Sequence, residues 1–288
     1  MTAILKREFR SYFRSMTGNV FMALLIVFTG IYFMAYNLNA GYPYFAYALG
    51  GSLIVFLVAI PILTMRSFSE ERKNKTDQLL LTSPVGLWQV VLGKYLAMVG
   101  VLAVTMLVYC IFPLIIKLQG IAYLGVDYLS VFVFFLLGCV YISIGMFVSS
   151  LTESQIIASI STFGILLVLY MWDGILGFFP ESAVGGLLGF LVIVLLLAFY
   201  IYHMTGNKVL CASIGGVAVL GGIVAYFVKS TLFENFFAKC LSFLSLTDTF
   251  AAITDSHILD LGGILLYLSL ILVFVFLTVQ TFQKRRWS

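Results

Sequence analysis

The chain is 288 residues long, with 62% apolar and only 10% charged side chains, against about 45–50% and about 25% in soluble domains. So few charges cannot supply the polar exterior of a water-soluble fold of this length, so composition excludes a soluble globular protein and makes lipid the solvent. The net charge of +4 comes from 16 Lys and Arg against 12 Asp and Glu, and the cations cluster between apolar runs.

The opening MTAILKREFRSYFRSMTGNVF is basic and runs into an apolar segment reaching Tyr36 without a small-residue cleavage site. It reads as retained rather than as a signal peptide. Ile4, Leu5, Phe9, Tyr12, Phe13 and Met16 share one helical face, with Lys6, Arg7, Arg10 and Arg14 on the others. This predicts an amphipathic interfacial helix over 1–17, lying along the cytoplasmic membrane surface.

A membrane-spanning helix needs about 20 mainly apolar residues. Such runs predict eight spans, near 18–37, 44–65, 93–116, 127–150, 155–178, 184–203, 208–228 and 261–282. The sixth and seventh meet at HMTGNK and form a helical hairpin. An even count puts both termini on one side. With that side cytoplasmic, every cation except Lys117, Lys229 and Lys239 faces inward, as the positive-inside rule requires. Trp88, Trp172, Trp287 and the cluster Tyr42, Tyr44, Phe45 and Tyr47 fall at span ends, as interfacial belts do. The expected fold is an all-α, polytopic membrane protein forming a single permease-like domain over 1–288.

The span middles carry almost no ionisable groups: Glu153 lies at an inner end, Lys117 and Asp173 at outer ends. Proton- and ion-coupled carriers place such groups at the midplane, so the expected energy source is outside this chain. GLWQVVLGKY, from Gly86 to Tyr95, ends in Gly-Lys, but its glycines are too far apart for a phosphate loop and Tyr follows the lysine. Lys94 there reads as a snorkelling interface residue. His203 and His257 fall on opposite sides of the membrane, and the four cysteines (Cys110, Cys139, Cys211 and Cys240) form no CxxC pair. The Ser and Asp residues between Thr247 and Asp260 lack a nucleophile elbow. No catalytic residue, metal site, bound cofactor or nucleic-acid partner is expected in this chain. Asn74-Lys75-Thr76 is a glycosylation sequon on the cytoplasmic side, beyond the reach of that modification.

The densest charge lies between Met65 and Ala97, in MRSFSEERKNKTDQLLLTSPVGLWQVVLGKYLA. Phe68, Leu79, Leu80 and Leu81 can pin a short helix to the membrane surface, with Glu70, Glu71, Arg72, Lys73, Lys75 and Asp77 in water and Glu71 spaced to pair with Lys75. Ser83-Pro84 suits the start of a second surface helix carrying Leu87, Trp88, Val91 and Leu92 into the third span. In the external stretch 229–260, Phe233, Phe236, Phe237, Leu241 and Leu244 follow a helical spacing, so an amphipathic segment at the outer leaflet is expected. GGLLG at Gly185 to Gly189 and the small residues Ala218 and Gly222 suit close helix packing.

The basic amphipathic start, two spans, the string FSEERKNKTDQLLLTSPV and GKYLA opening the next span together resemble the permease subunits of ABC-2 type ABC transporters. The ending HILDLGGILLYLSLILVFVFLTVQTFQKRRW resembles the gliding-motility-associated branch. The resemblance implies a half-transporter in a bacterial plasma (inner) membrane. It pairs the chain with a second permease, identical or paralogous, and with two separate ATP-binding subunits that hold ATP and Mg. It makes 66–92 the cytoplasmic coupling loop, with Phe68, Glu70, Glu71, Arg72, Lys75, Asp77, Gln78 and Leu81 as coupling residues. It assigns the second and fifth spans to the path, with Phe56, Ile60, Ser159 and Phe163 as lining positions. Family members with six spans lack the pair from 184 to 228. The expected activity is export of a hydrophobic or amphipathic cargo: a peptide, a lipid or a lipid-linked compound. The alternatives are a non-transporting membrane scaffold that recruits a cytoplasmic partner, and a secondary carrier.

Overall fold

A computed structural model of the chain describes residues 2–76, 86–178, 182–187, 189, 191, 241–242, 245–256 and 260–287. These residues are helical, turn or irregular, with no strand among them. The chain divides into two compact units, Met1–Tyr170 with Leu246–Ser288, and Met171–Ser245. The second unit brackets the extra pair of spans expected at 184–228, most of which lies outside the described residues, as do His203, His257, Cys211, Cys240 and Phe233 to Phe237.

The first unit begins with α1 (Thr2–Arg14) and α2 (Met16–Phe33), which meet at Ser15. Extended backbone at Ser15 turns the chain so sharply that a Cβ on Gly18 would lie 2.4 Å from the Tyr12 carbonyl oxygen. A glycine is required at that corner. A π-helical turn, Met34–Asn39, ends the first span. Buried Asn37 then donates to the carbonyls of Tyr42 (2.8 Å) and Tyr44 (2.9 Å), holding the loop that leads to α3 (Ala46–Thr64) and α4 (Ser69–Lys73).

Next come α5 (Leu87–Tyr109), α6 (Phe112–Gln119) and α7 (Leu124–Leu151). The second surface helix expected before the third span is instead the first turns of α5 itself, with Leu87, Trp88, Val91 and Leu92 on one continuous helix. Ser83 and Pro84 lie outside the described residues. α8 (Gln155–Tyr170) is shorter than the fifth span expected at 155–178. Its 16 residues reach about 24 Å at 1.5 Å each. In the second unit, α9 (Trp172–Leu176) is held by the Trp172 indole, which donates to the Leu241 carbonyl at 2.8 Å, and residues 183–187 are helical. The first unit resumes with α10 (Asp248–Ser256) and α11 (Leu261–Trp287).

Five described helical segments are long and apolar enough to cross a membrane: Met16–Asn39, Ala46–Lys73, Leu87–Gln119, Leu124–Leu151 and Leu261–Lys284. They correspond to the first four expected spans and the last. α7 is the central one: 83% of its most apolar window is buried, against 28% for α2 and α11. It packs against α3, α5, α8 and α11. Two glycines seven residues apart let these helices approach. A Cβ on Gly138 would meet Leu102 at 2.6 Å, and one on Gly145 would meet Thr64 at 2.4 Å. The Phe56 ring lies tilted against Phe134 at 4.4 Å and meets Tyr141 edge-on, filling the layer between α3 and α7.

Polar bonds pin the apolar packing. The Tyr109 hydroxyl donates to the Leu25 carbonyl (2.9 Å) and meets Thr29 Oγ1 at 2.7 Å, joining α5 to α2. At the end of the bundle opposite α4, buried Asp127 in the first turn of α7 accepts a hydrogen bond from the Phe45 amide at 2.7 Å. Removing a charged acceptor from a buried donor costs about 1–3 kcal/mol. Asp127→Leu is therefore expected to lower the thermal unfolding midpoint of the full chain in detergent by several degrees.

Candidate functional site

The site is the junction where α4 meets the ends of the long helices. Thr64 ends α3, and two turns of chain carry Arg66, Ser67 and Phe68 into α4, whose five residues are SEERK. The helix is short because Lys75 adopts a left-handed backbone (φ 57°), and the Thr76 amide returns to the Glu71 carbonyl at 2.9 Å. This closes the C-terminus much as a glycine would. Of the coupling helix expected over 68–81, the described part holds the short helix Ser69–Lys73, and Asp77, Gln78 and Leu81 lie outside the described residues.

Two of the charges expected to face water, Glu71 and Arg72, turn inward. Glu71 pairs not with Lys75 but with Lys94 of α5, at 2.7 Å. Lys94 is not an interface residue: its side chain is 4% exposed, its ammonium donates to the Ser67 carbonyl at 2.6 Å, and it lies 4.8 Å from the centre of the Phe68 ring. A cation this buried needs such an enclosure of carboxylate, carbonyl and aromatic face. Phe68 does not pin a surface helix either. It is buried, 4.6 Å from the Phe282 ring of α11.

Arg72 faces the other way, into the end of α7. Its guanidinium donates to the Ser150 carbonyl (2.8 Å) and to Glu153 (3.2 Å), with the Arg72 side chain buried and that of Glu153 exposed. The Ser149 hydroxyl accepts from the amides of Phe68 and Ser69 and donates to the Met65 carbonyl. Glu70 forms a two-pronged pair with Arg66 at 2.7 and 3.0 Å, half-exposed. Among the described residues Glu71 Oε2, Arg72 Nε and Ser67 Oγ are buried without a hydrogen-bond partner. What α4 leaves in the open is Lys73, Asn74, Lys75 and Thr76.

The N-terminal helix supports this junction. Its apolar face packs on α5 rather than being left to a membrane surface: a Cβ on Gly93 would meet Ile4 at 3.1 Å, and one on Gly100 would meet Phe9 at 2.9 Å. Met16 alone of the expected apolar face is highly exposed. Burial pushes the Tyr12 phenol above its usual range, and the Glu8 carboxylate adds to the effect. The Arg7 guanidinium is also raised, by its hydrogen bond to Glu8 and by the field of Glu71.

The expected path residues separate into two pairs. Phe56 and Ile60 have no exposed surface and are core packing within the chain, because α3 turns that face onto α7. Ser159 and Phe163 lie on α8, which buries only Ala158, Thr162 and Leu166 and leaves Ile156, Ile160, Phe163 and Val168 exposed. Near the end opposite α4, a cleft of about 360 Å³ opens between α3, α8 and α10. Gly50, Leu53, Tyr170, Phe250 and Thr254 line it.

Sequence reasoning missed two polar anchors. Asp127 could have been flagged as an acid one turn into an apolar run, where a carboxylate completes a helix start. The Glu71–Lys94 pair leaves no local signal, since its partners are 23 positions apart and belong to different helices.

No curated protein and no solved structure matches the chain. A family model described as ABC-2 family transporter protein matches residues 35–197, more than half of it. That match runs from the end of the first span through α3, the α4 junction and α7, so the inward-turned charges lie inside the shared region. With at least five apolar helices long enough to cross a membrane, the chain belongs to the ABC-2 transporter family and is a multi-pass membrane permease subunit of an ABC transporter.

Proposed function

We propose that this permease exports a hydrophobic or amphipathic cargo, driven by a separate ATP-binding subunit that docks on the α4 junction. The observation that carries the reading is the double anchoring of α4. Glu71 and Ser67 hold Lys94, two turns into α5, while at the end of α7 the Ser150 carbonyl accepts from Arg72 and the Ser149 hydroxyl accepts from the Phe68 and Ser69 amides. A push on α4 therefore reaches two long helices as a rigid-body displacement, the kind of movement that switches a bundle between discrete packings. Glu71 and Arg72 act in this reading as positioning residues, and the surface offered to the partner is Lys73 to Thr76 with the half-exposed Glu70.

Two copies of the ATP-binding subunit, carrying ATP and Mg, and a second permease chain, identical or paralogous, complete the assembly. Both termini and α4 lie on the cytoplasmic side of a bacterial plasma membrane, a placement supported by the positive-inside distribution. The C-terminal sequence supports the gliding-motility-associated branch. The cleft between α3, α8 and α10, lined mainly by apolar side chains, supports an apolar or amphipathic cargo: a peptide, a lipid or a lipid-linked compound.

The test is Lys73→Glu/Lys75→Glu in the full chain. Both side chains are exposed, so folding and membrane insertion are expected to stay normal. Charge reversal at a docking surface is expected to lower co-purification of the ATP-binding subunit, and the ATP turnover stimulated by the permease, by about tenfold. Unchanged turnover with normal capture would remove α4 from the coupling route.

A further inference from the structure

We propose that the polar face of α1 binds the headgroups of anionic phospholipids in the cytoplasmic leaflet. Lys6, Arg10 and Arg14 recur at every fourth position, so they form a single row, and with Arg7, Ser11 and Ser15 they line one shallow groove. Arg7 is partly neutralised by Glu8 at 2.7 Å. Lys6, Arg10 and Arg14 are exposed, and among the described residues they have no carboxylate partner. Like charges four residues apart oppose helix formation. The row is therefore stabilised by an external anion, which the groove can also meet with the hydroxyl of Ser11.

Position makes that anion a lipid. The opposite face of α1 is occupied by α5, through Ile4 on Gly93 and Phe9 on Gly100, so α1 cannot roll its basic face away. Arg14 is two residues before the first span, which places the row at headgroup depth. Just beyond the corner, α2 exposes Met16, Val20, Val27 and Ile31 in a strip that continues down the span. A phosphate beside Arg14 and Arg10, with acyl chains along that strip, satisfies both surfaces at once. Basic rows next to a span attract anionic headgroups in this way. The inference rests on the cytoplasmic placement of the N-terminus proposed above, and it stands apart from the coupling role of α4.

The experiment is native mass spectrometry of the full chain released from nanodiscs of equal phosphatidylglycerol and phosphatidylcholine. The wild-type chain is expected to retain phosphatidylglycerol about tenfold over phosphatidylcholine, and millimolar glycerol phosphate should not displace it, because the acyl strip contributes to binding. Lys6→Gln/Arg10→Gln/Arg14→Gln is expected to retain the two lipids equally, while Lys6→Arg/Arg10→Lys/Arg14→Lys keeps the preference. Matching unfolding midpoints for the three proteins would exclude a folding defect as the cause. A glutamine variant that still prefers phosphatidylglycerol would overturn the proposal. So would displacement by glycerol phosphate, which marks a soluble-phosphate site, or a variant that loses the ATP-binding subunit but keeps its lipid, which marks a protein-docking face.

Discussion

Glu71→Ala is expected to be the most damaging single change at the α4 junction. It leaves the Lys94 ammonium, in a side chain only 4% exposed, with the Ser67 carbonyl and the Phe68 ring as its remaining partners. Removing one side of a buried ion pair costs about 3–5 kcal/mol. The low end applies here, because the carbonyl bond survives and the Glu71 side chain keeps 19% exposure. Thermal unfolding of the purified chain in detergent should show the loss. The double variant Glu71→Leu/Lys94→Met should recover most of it, since an apolar pair of similar volume replaces a buried ion pair at little cost. The recovered protein separates two roles. If the pair transmits movement, the double variant folds and captures its ATP-binding partner, yet the permease-stimulated ATP turnover falls. Full turnover in the double variant would show that the pair only holds α4 in place.

The second large effect is expected at Gly145. A Cβ there would sit 2.4 Å from Thr64 Oγ1, 2.9 Å from its Cβ and 3.0 Å from its Cγ2. Thr64 is β-branched and buried in the last turn of α3, and its hydroxyl is bonded to the Ile60 carbonyl at 2.9 Å, so the side chain cannot rotate clear. α3 and α7 must separate, and every contact between them, including the Phe56–Phe134 ring contact, loosens. Overpacking of this kind costs about 1–3 kcal/mol, so Gly145→Val is expected to lower the unfolding midpoint markedly and Gly145→Ala less so. Thr64→Ala should rescue Gly145→Ala by vacating the space. A rescue by Thr64→Ala but not by Thr64→Ser would assign the clash to the Thr64 hydroxyl, the nearest atom. Equal stability of Gly145→Val and wild type would show that the two helices are not in contact at this layer.

The order of the described spans was open to reading because lipid imposes a length and a composition. A run of about 20 apolar residues is a span wherever it packs. The α4 loop also stood out by charge, and the family was legible in the string from Phe68 to Val85. The fate of each charge was not. Glu70, Glu71 and Arg72 read as a solvated helix face because a local pattern records only neighbours within one turn. Their actual partners include Lys94, Ser150 and Glu153, brought in by other helices.

The same limit explains the path residues. α3 and α7 are apolar around their whole circumference, so no periodicity tells the buried side from the side left open. Phe56 and Ser159 were equally plausible as lining, and only packing separates them: Phe56 is enclosed by Phe134 and Tyr141, while α8 buries a single narrow stripe that excludes Ser159. Sequence by itself determined that this is a helical membrane protein, where its five described long apolar helices run, and that its first charged loop is the region of interest. The tertiary structure alone decided which charges are buried, because an ion pair between α4 and α5 and close approach at Gly138 and Gly145 exist only once helices distant in the chain are side by side.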